Sequence, residues 1–256
     1  MSAHEFAARL RNRERILGYW SVLDCPVAHE WVAHVGWDYL ALDLQHGLIG
    51  YSGMLAGLTA IDAAGGPVGL VRVEANNPTP IGRALDAGAA GVIVPLIDTA
   101  ADAAAAVAAA TYPPNGIRSY GPMRSQLRIG PLPADANRDT VVLAMIETPQ
   151  GLANVAEIAA VPGLDGVYVG PSDLRLAVGG AHSNDPTVAD EFEAALTKVR
   201  EAAAAVGIAA GIHTSDGVTA ARRLAEGFTF ASVASDITHL KAVSAAHLKD
   251  ALGGSA

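Results

Sequence analysis

Eight short apolar runs rich in Val, Ile and Leu recur along the chain, separated by alanine-rich stretches with helical spacing. The runs Ile16–Leu23, Tyr39–Leu44, Val68–Val73 and Gly91–Leu96 predict four strands. Val141–Glu147, Gly166–Gly170, Ile208–His213 and Phe228–Ser235 predict four more. Most are continuously apolar rather than alternating, as strands buried on both faces of a parallel sheet must be. Helices are predicted over Val27–Val35, Gly53–Ala64, Pro80–Ala87 and Thr99–Ala110, then over Gln150–Ala160, Thr187–Val206, Gly217–Ala225 and Thr238–Leu252. Strictly alternating β and α units with eight strands predict an α/β fold, a closed (β/α)8 TIM barrel. An open doubly wound sheet is the alternative, disfavoured because no GxGxxG turn follows the first strand.

One connection is oversized. Tyr112–Thr140, after the fourth predicted helix, holds five prolines and the arginines Arg118, Arg124, Arg128 and Arg138. It reads either as a solvated flap or as an anion-binding or subunit-contact loop. No linker or repeat divides the chain, so residues 1–256 are expected to form a single barrel domain, with the tail Gly253–Ala256 disordered. The composition agrees: 51% hydrophobic and 17% charged positions exclude disorder. A net charge of −9 disfavours a nucleic-acid partner. Ala100–Ala110 is too short to span a membrane and carries Asp102. Glu5, Arg9, Arg11 and Arg13 occupy the region where a signal peptide would be apolar. The single cysteine, Cys25, excludes an internal disulfide and reads as a buried or incidental thiol. The expected compartment is the cytoplasm.

Polar residues gather where the predicted strands end, the edge at which TIM barrels carry their active sites. The second strand ends in Asp43-Leu44-Gln45-His46, the third at Arg72, the fifth at Glu147, the sixth in Gly170-Pro171-Ser172-Asp173 and the seventh at His213; the eighth runs into Ser235-Asp236. Glu147 after an apolar run needs a metal or a partner, since a buried lone carboxylate is unfavourable. Asp173 reads by itself as a helix N-cap, as does Ser172. Together, two carboxylates on adjacent strands suit a hard divalent cation such as Mg²⁺ or Mn²⁺. Arg72 cannot be neutralised and needs an anion, either a substrate oxyanion or a structural Asp or Glu. His46 suits acid–base work, with Asp43 placed to orient it. His213 reads equally as pocket lining or as a structural histidine. Backbone N–H groups around Gly170–Ser172 could hold a carboxylate. Lys198, Lys241 and Lys249 all fall in helical stretches, which argues against a Schiff-base aldolase.

The segments WDYLALDLQHGLI, LVRVEANNP, RALDAGAAGVIVP, YPPNGIRSYG, IETPQGLANV and LDGVYVGPSDL together resemble the HpcH/HpaI family of metal-dependent class II pyruvate aldolases, in the phosphoenolpyruvate/pyruvate barrel superfamily. The resemblance implies that Glu147 and Asp173 ligate the metal (Mg²⁺ or Mn²⁺, with Co²⁺ or Zn²⁺ as alternatives). It makes Arg72 the contact to the keto oxygen, His46 the acid–base group and Gly170–Pro171–Ser172 the clamp for the substrate carboxylate. Trp20 and His213 are expected to line the substrate pocket. Asp86, otherwise a helix-end carboxylate before Gly88, matches an aspartate that reaches a neighbouring subunit's histidine. A homo-oligomer, trimer or hexamer, is therefore expected, with the C-terminal helix in its contacts.

Three positions depart from the family pattern: Gln45 replaces a glutamate, Met145 a glutamine, and His213 an apolar residue. The implied reaction is reversible cleavage of a 4-hydroxy-2-oxo acid to an aldehyde and pyruvate, or a close 2-oxo acid such as hydroxypyruvate. Two alternatives stand beside it: an acyl-CoA- or oxaloacetate-using lyase or synthase of the same superfamily, served by the arginine-rich flap, and a catalytically silent binding barrel.

Overall fold

The computed structural model describes residues 1–253. Its strands are β1 (Ile16–Ser21), β2 (Tyr39–Asp43), β3 (Val68–Arg72), β4 (Gly91–Val94), β5 (Val141–Ile146), β6 (Gly166–Val169), β7 (Ala209–Thr214) and β8 (Phe230–Ser235). Each pairs in parallel with the next, and β8 returns to pair with β1, closing the barrel in chain order. The α/β alternation therefore resolves as a TIM barrel, not an open sheet.

The continuous apolar runs are explained by two cores. Along β5, Val141, Leu143 and Met145 point into the barrel, while Val142, Ala144 and Ile146 point at the surrounding helices. Period-2 alternation thus sends apolar side chains to both faces. Aromatic rings fill the inside, and two glycines make room for them. A Cβ on Gly18 would lie 2.2 Å from the Tyr39 ring, and one on Gly211 2.1 Å from Phe230.

The helices α1 (Ala3–Arg11), α2 (Pro26–Ala33), α3 (Tyr51–Ala64), α4 (Pro78–Asp86) and α5 (Ala100–Ala110) precede the long connection. That connection holds a 3₁₀ turn at Ser125–Leu127 and α6 (Pro133–Asp139). After it come α7 (Pro149–Ala153), α8 (Val155–Ala159), α9 (Pro171–Ala177), α10 (Ala189–Val206), α11 (Gly217–Ala225) and α12 (Asp236–Ala251). The helix α1 was not predicted. It closes the bottom of the barrel, burying Ala3, Phe6, Ala7 and Leu10 against the interior core behind a Ser2/Glu5 capping box. The helix expected over Gln150–Ala160 is broken at Asn154, whose side chain turns to donate to the Asp98 carbonyl. Gly253 ends the described chain, so the rest of the tail expected to be disordered lies outside the described residues.

The flap runs beneath the barrel. It links the end of α5 to the start of β5, so topology confines it to the face opposite the strand C-termini. Its four arginines are matched within the chain: Arg118 with Asp86, Arg124 and Arg128 with Asp62, and Arg138 with Asp135 and Asp139. This corrects the anion-binding reading of the loop, because both its position and its pairing withdraw those charges from the site.

Candidate active site

At the C-terminal edge of the strands the structure opens a cavity of about 220 Å³. Its wall includes His46, Arg72, Asp173 and His213, with Trp20 and the Gly170–Ser172 segment between them. These residues are far apart in the chain. Parallel closure places the end of every strand on one rim, and most of the predicted site residues converge there, Asp43, Asp86 and Glu147 lying outside the cavity lining.

Asp43 organises one side from just below the cavity. Its carboxylate accepts Nε and Nη2 of Arg72 at 2.9 and 2.5 Å and the Trp20 indole N–H at 3.2 Å. It also accepts the backbone N–H groups of Gln45 and His46 at 3.0 and 3.1 Å. These donors outweigh burial and hold its carboxyl below the usual range. One expectation is narrowed here and one corrected. Of the two anions open to Arg72, the structure supplies the protein one, Asp43, so a substrate anion is not its sole partner. Asp43 fixes the His46 backbone, not its imidazole, so it sets the loop and leaves the ring to the cavity. Arg72 still retains Nη1 for a ligand, and its guanidinium lies 5.1 Å from the Trp20 ring centroid.

Replacing Asp43 with Asn is expected to cost about 3–5 kcal/mol, since a buried guanidinium loses its counter-charge. Because the Asp43 carboxyl is depressed in the fold, wild type holds this advantage above the unfolded-state carboxyl value. It loses the advantage as pH falls through the folded value. Denaturant unfolding of both proteins across an acid pH series checks both the size and the sign.

Glu147 follows β5 and is 4% exposed. One oxygen accepts the Leu96 N–H at 2.8 Å; the other, Oε2, is buried with no partner among the described residues. Burial, reinforced by the charge of Asp173, pushes its carboxyl above the usual range. The structural ion pair considered for this residue is absent from the described residues. Gly170 guards the orphaned oxygen: a Cβ there would stand 2.8 Å from Oε2. Asp173 stands in the first turn of α9 and is exposed to the cavity. The helix is capped by Gly170 with Pro171 following, and no side chain caps it. The N-cap reading of Ser172 or Asp173 is thus corrected, and the Asp173 carboxylate is left unspent.

This pair fits a hard divalent cation. A buried carboxylate oxygen without a donor is satisfied by a cation, and the open cavity leaves the remaining positions to oxygen ligands. No group of three or more His, Cys, Asp or Glu converges among the described residues, so a closed, all-protein cage is not what they build.

Two contributors were invisible in the sequence, and a third was only noted. Leu96 adopts φ 55° just past β4, and this turns its N–H onto Glu147. Nothing in a leucine announces a left-handed conformation. Tyr168 stacks on Trp20 at 5.7 Å and hydrogen-bonds Ser232 inside the barrel. Met145, noted only as a departure, lines the cavity floor beside Gly170. Gln45 buries its side-chain oxygen without a partner among the described residues. Asp86 lies outside the cavity, paired with Arg118 at 2.7 Å beside a separate groove. Cys25 is exposed, not buried.

The family model described as HpcH/HpaI aldolase/citrate lyase matches residues 17–242. A hydroxypyruvate/pyruvate aldolase of Rhizorhabdus wittichii is 40% identical over 92% of this chain and 93% of its own. A 5-keto-4-deoxy-D-glucarate aldolase of Shigella dysenteriae is 36% identical over 91% of each. Among solved structures, an HpcH/HpaI aldolase/citrate lyase family protein from Burkholderia cenocepacia superposes with a TM-score of 0.87 at 31% identity, covering 97% of this chain and 99% of that one. With sequence and fold matching over nearly the whole barrel, the chain belongs to the HpcH/HpaI aldolase/citrate lyase family.

Proposed function

We propose that this protein is a class II aldolase, a single barrel domain that cleaves and forms the C3–C4 bond of a 4-hydroxy-2-oxo acid, with pyruvate or hydroxypyruvate as the 2-oxo acid. The observation that carries the reading is the orphaned Glu147 Oε2 behind Gly170, with Asp173 and Arg72 beside it on one rim. The names of the aldolases from Rhizorhabdus and Shigella support the reaction class.

Glu147 and Asp173 would hold Mg²⁺ or Mn²⁺; when bound, such an ion polarises the 2-oxo acid and favours its enolate. The Gly170–Pro171–Ser172 segment faces the substrate carboxylate, with the Ser172 N–H as donor because Pro171 has none. In cleavage, the His46 imidazole takes the C4 hydroxyl proton. The C3–C4 bond breaks, the aldehyde leaves, and its bonding pair remains on the 2-oxo acid as an enolate. Arg72 Nη1 donates to the developing enolate oxygen, and a proton returned to C3 completes the product. The stacked Trp20 and Tyr168 rings line the cavity.

The acyl-CoA reading loses the flap as its anion site, because the flap arginines meant for a bulky anion are paired beneath the barrel. The deciding experiment is hydrogen exchange at C3 of pyruvate in D₂O, followed by NMR with metal-stripped protein and then with added Mn²⁺ or Mg²⁺. Exchange that appears only with metal is expected; no exchange with any divalent ion would refute the proposal.

The working protein is a homo-oligomer, trimer or hexamer. Beyond Asp236 the whole of α12 is exposed, including Ile237, Leu240, Val243 and Leu248, and α2 exposes Val27 and Trp31, with Val35 exposed in the turn after it. Such unpartnered apolar faces are suited to a second copy. In that assembly Asp86 is assigned to a neighbouring subunit's histidine. Light scattering is expected to give a multiple of the 26.1 kDa chain mass. Leu240→Asp combined with Leu248→Asp should reduce it to one chain, and an unchanged mass would exclude α12 as the contact. No helix of the described residues is long and apolar enough to cross a membrane; we assign the enzyme to the cytoplasm.

A further inference from the structure

The wall of the cavity formed by β7, β8 and β1 has no task in the chemistry above. It presents Trp20, Val22, His213 and Ser235. Two of its polar groups are already engaged. The Ser235 hydroxyl meets that of Thr238 at 2.9 Å, where α12 begins, and the Trp20 N–H is bound to Asp43. His213 is different. It meets the Trp20 ring edge-on at 5.4 Å and is half-buried at the cavity. Neither of its ring nitrogens has a hydrogen-bond partner among the described residues.

Burial, with the Arg72 guanidinium nearby, lowers the His213 pKa to about 4. The ring is therefore neutral near pH 7, with one N–H donor and one bare acceptor nitrogen. Of the small groups a substrate can bring to this wall, a hydroxyl can answer either nitrogen. A methyl group answers neither and desolvates both. Position around the rim narrows the substrate atom concerned. The β5 and β6 ends carry the carboxylates and the Gly170–Ser172 segment, and β3 carries Arg72, so the acid and keto oxygens are drawn to that side. The β7–β8–β1 wall is left to C3.

We propose that His213 is a specificity-determining residue that hydrogen-bonds a hydroxyl on C3 of the bound 2-oxo acid, so that the enzyme prefers a 3-hydroxy-2-oxo acid to pyruvate as donor. This rests on the 2-oxo acid reading of the site and specifies the donor class within it. His213 reads the substituent and moves no proton in the reaction.

The test compares hydroxypyruvate with pyruvate in wild type, His213→Leu and His213→Gln. It takes kcat/KM for C3 hydrogen exchange in D₂O with Mn²⁺, and calorimetric Kd values with Mg²⁺. Leucine removes both hydrogen-bonding nitrogens, whereas glutamine restores a donor and an acceptor. The hydroxypyruvate-to-pyruvate ratio should fall about tenfold in His213→Leu and stay within about threefold of wild type in His213→Gln. An unchanged ratio in His213→Leu, or an equal loss for both donors, overturns the proposal. A wild type that binds both acids but exchanges neither refutes the enolate chemistry alone, and the Kd ratio then decides the role of His213. A wild type that binds neither acid refutes both.

Discussion

Glu147→Gln is expected to abolish nearly all turnover, by about 10³-fold or more in kcat/KM, while leaving the fold at least as stable as wild type. The amide keeps an acceptor for the Leu96 N–H, and it removes a charge from an oxygen that is buried without a donor among the described residues. A neutral side chain at that position relieves a desolvation cost of about 1–3 kcal/mol in the metal-free protein. What the variant loses is the anionic ligand, and with it electrostatic help that is worth several kcal/mol at a preorganised site. The two consequences separate cleanly in a thermal unfolding series. Mn²⁺ should raise the wild-type midpoint through preferential binding to the native state and leave that of Glu147→Gln almost unmoved. Turnover near the wild-type rate, or an equal metal-induced shift in both proteins, would remove Glu147 from the site.

Arg72→Lys is the second large effect, and it distinguishes charge from geometry. The arginine spends Nε and Nη2 on Asp43 and keeps Nη1 for the cavity. A single ammonium cannot cover the Asp43 carboxylate and reach an enolate oxygen with the same fixed fork. The substitution should therefore reduce pyruvate C3 exchange by about 10²–10³-fold, the scale of losing one oxyanion donor. Arg72→Ala should go further, because Asp43 is then left buried without its cation, and about 3–5 kcal/mol of stability should be lost with it. Exchange measured alongside denaturant unfolding checks the pair. If Arg72→Lys exchanges like wild type, Arg72 is only the counter-ion of Asp43 and has no role toward the substrate.

The corrections at individual residues share one cause. From its place in an apolar strand, Arg72 had to have an anionic partner, but whether that was substrate or protein depended on which strand lay beside it. The β2–β3 register puts Asp43 directly opposite Arg72. The same carboxylate was expected at the His46 ring and is instead occupied by backbone N–H groups, an outcome set by the turn after β2. The helix α1 was legible in principle, since Ala3, Phe6, Ala7 and Leu10 recur at helical spacing. The charges between them obscured a stripe that only the open base of the barrel gives a reason to bury.

The eight apolar runs determined by themselves that the chain would build a parallel sheet buried on both faces, because alternation on a pleated strand leaves its mark in every residue. They also determined which end would carry chemistry, since charged residues and histidine interrupt those runs only where the strands stop. The tertiary structure alone decided the pairings: Arg72 with Asp43, Glu147 with the N–H of a left-handed Leu96, the flap arginines with carboxylates beneath the barrel, and His213 with no partner among the described residues. Pairing depends on distance across the barrel and on the direction of a few turns, and neither is encoded in the residue types that meet.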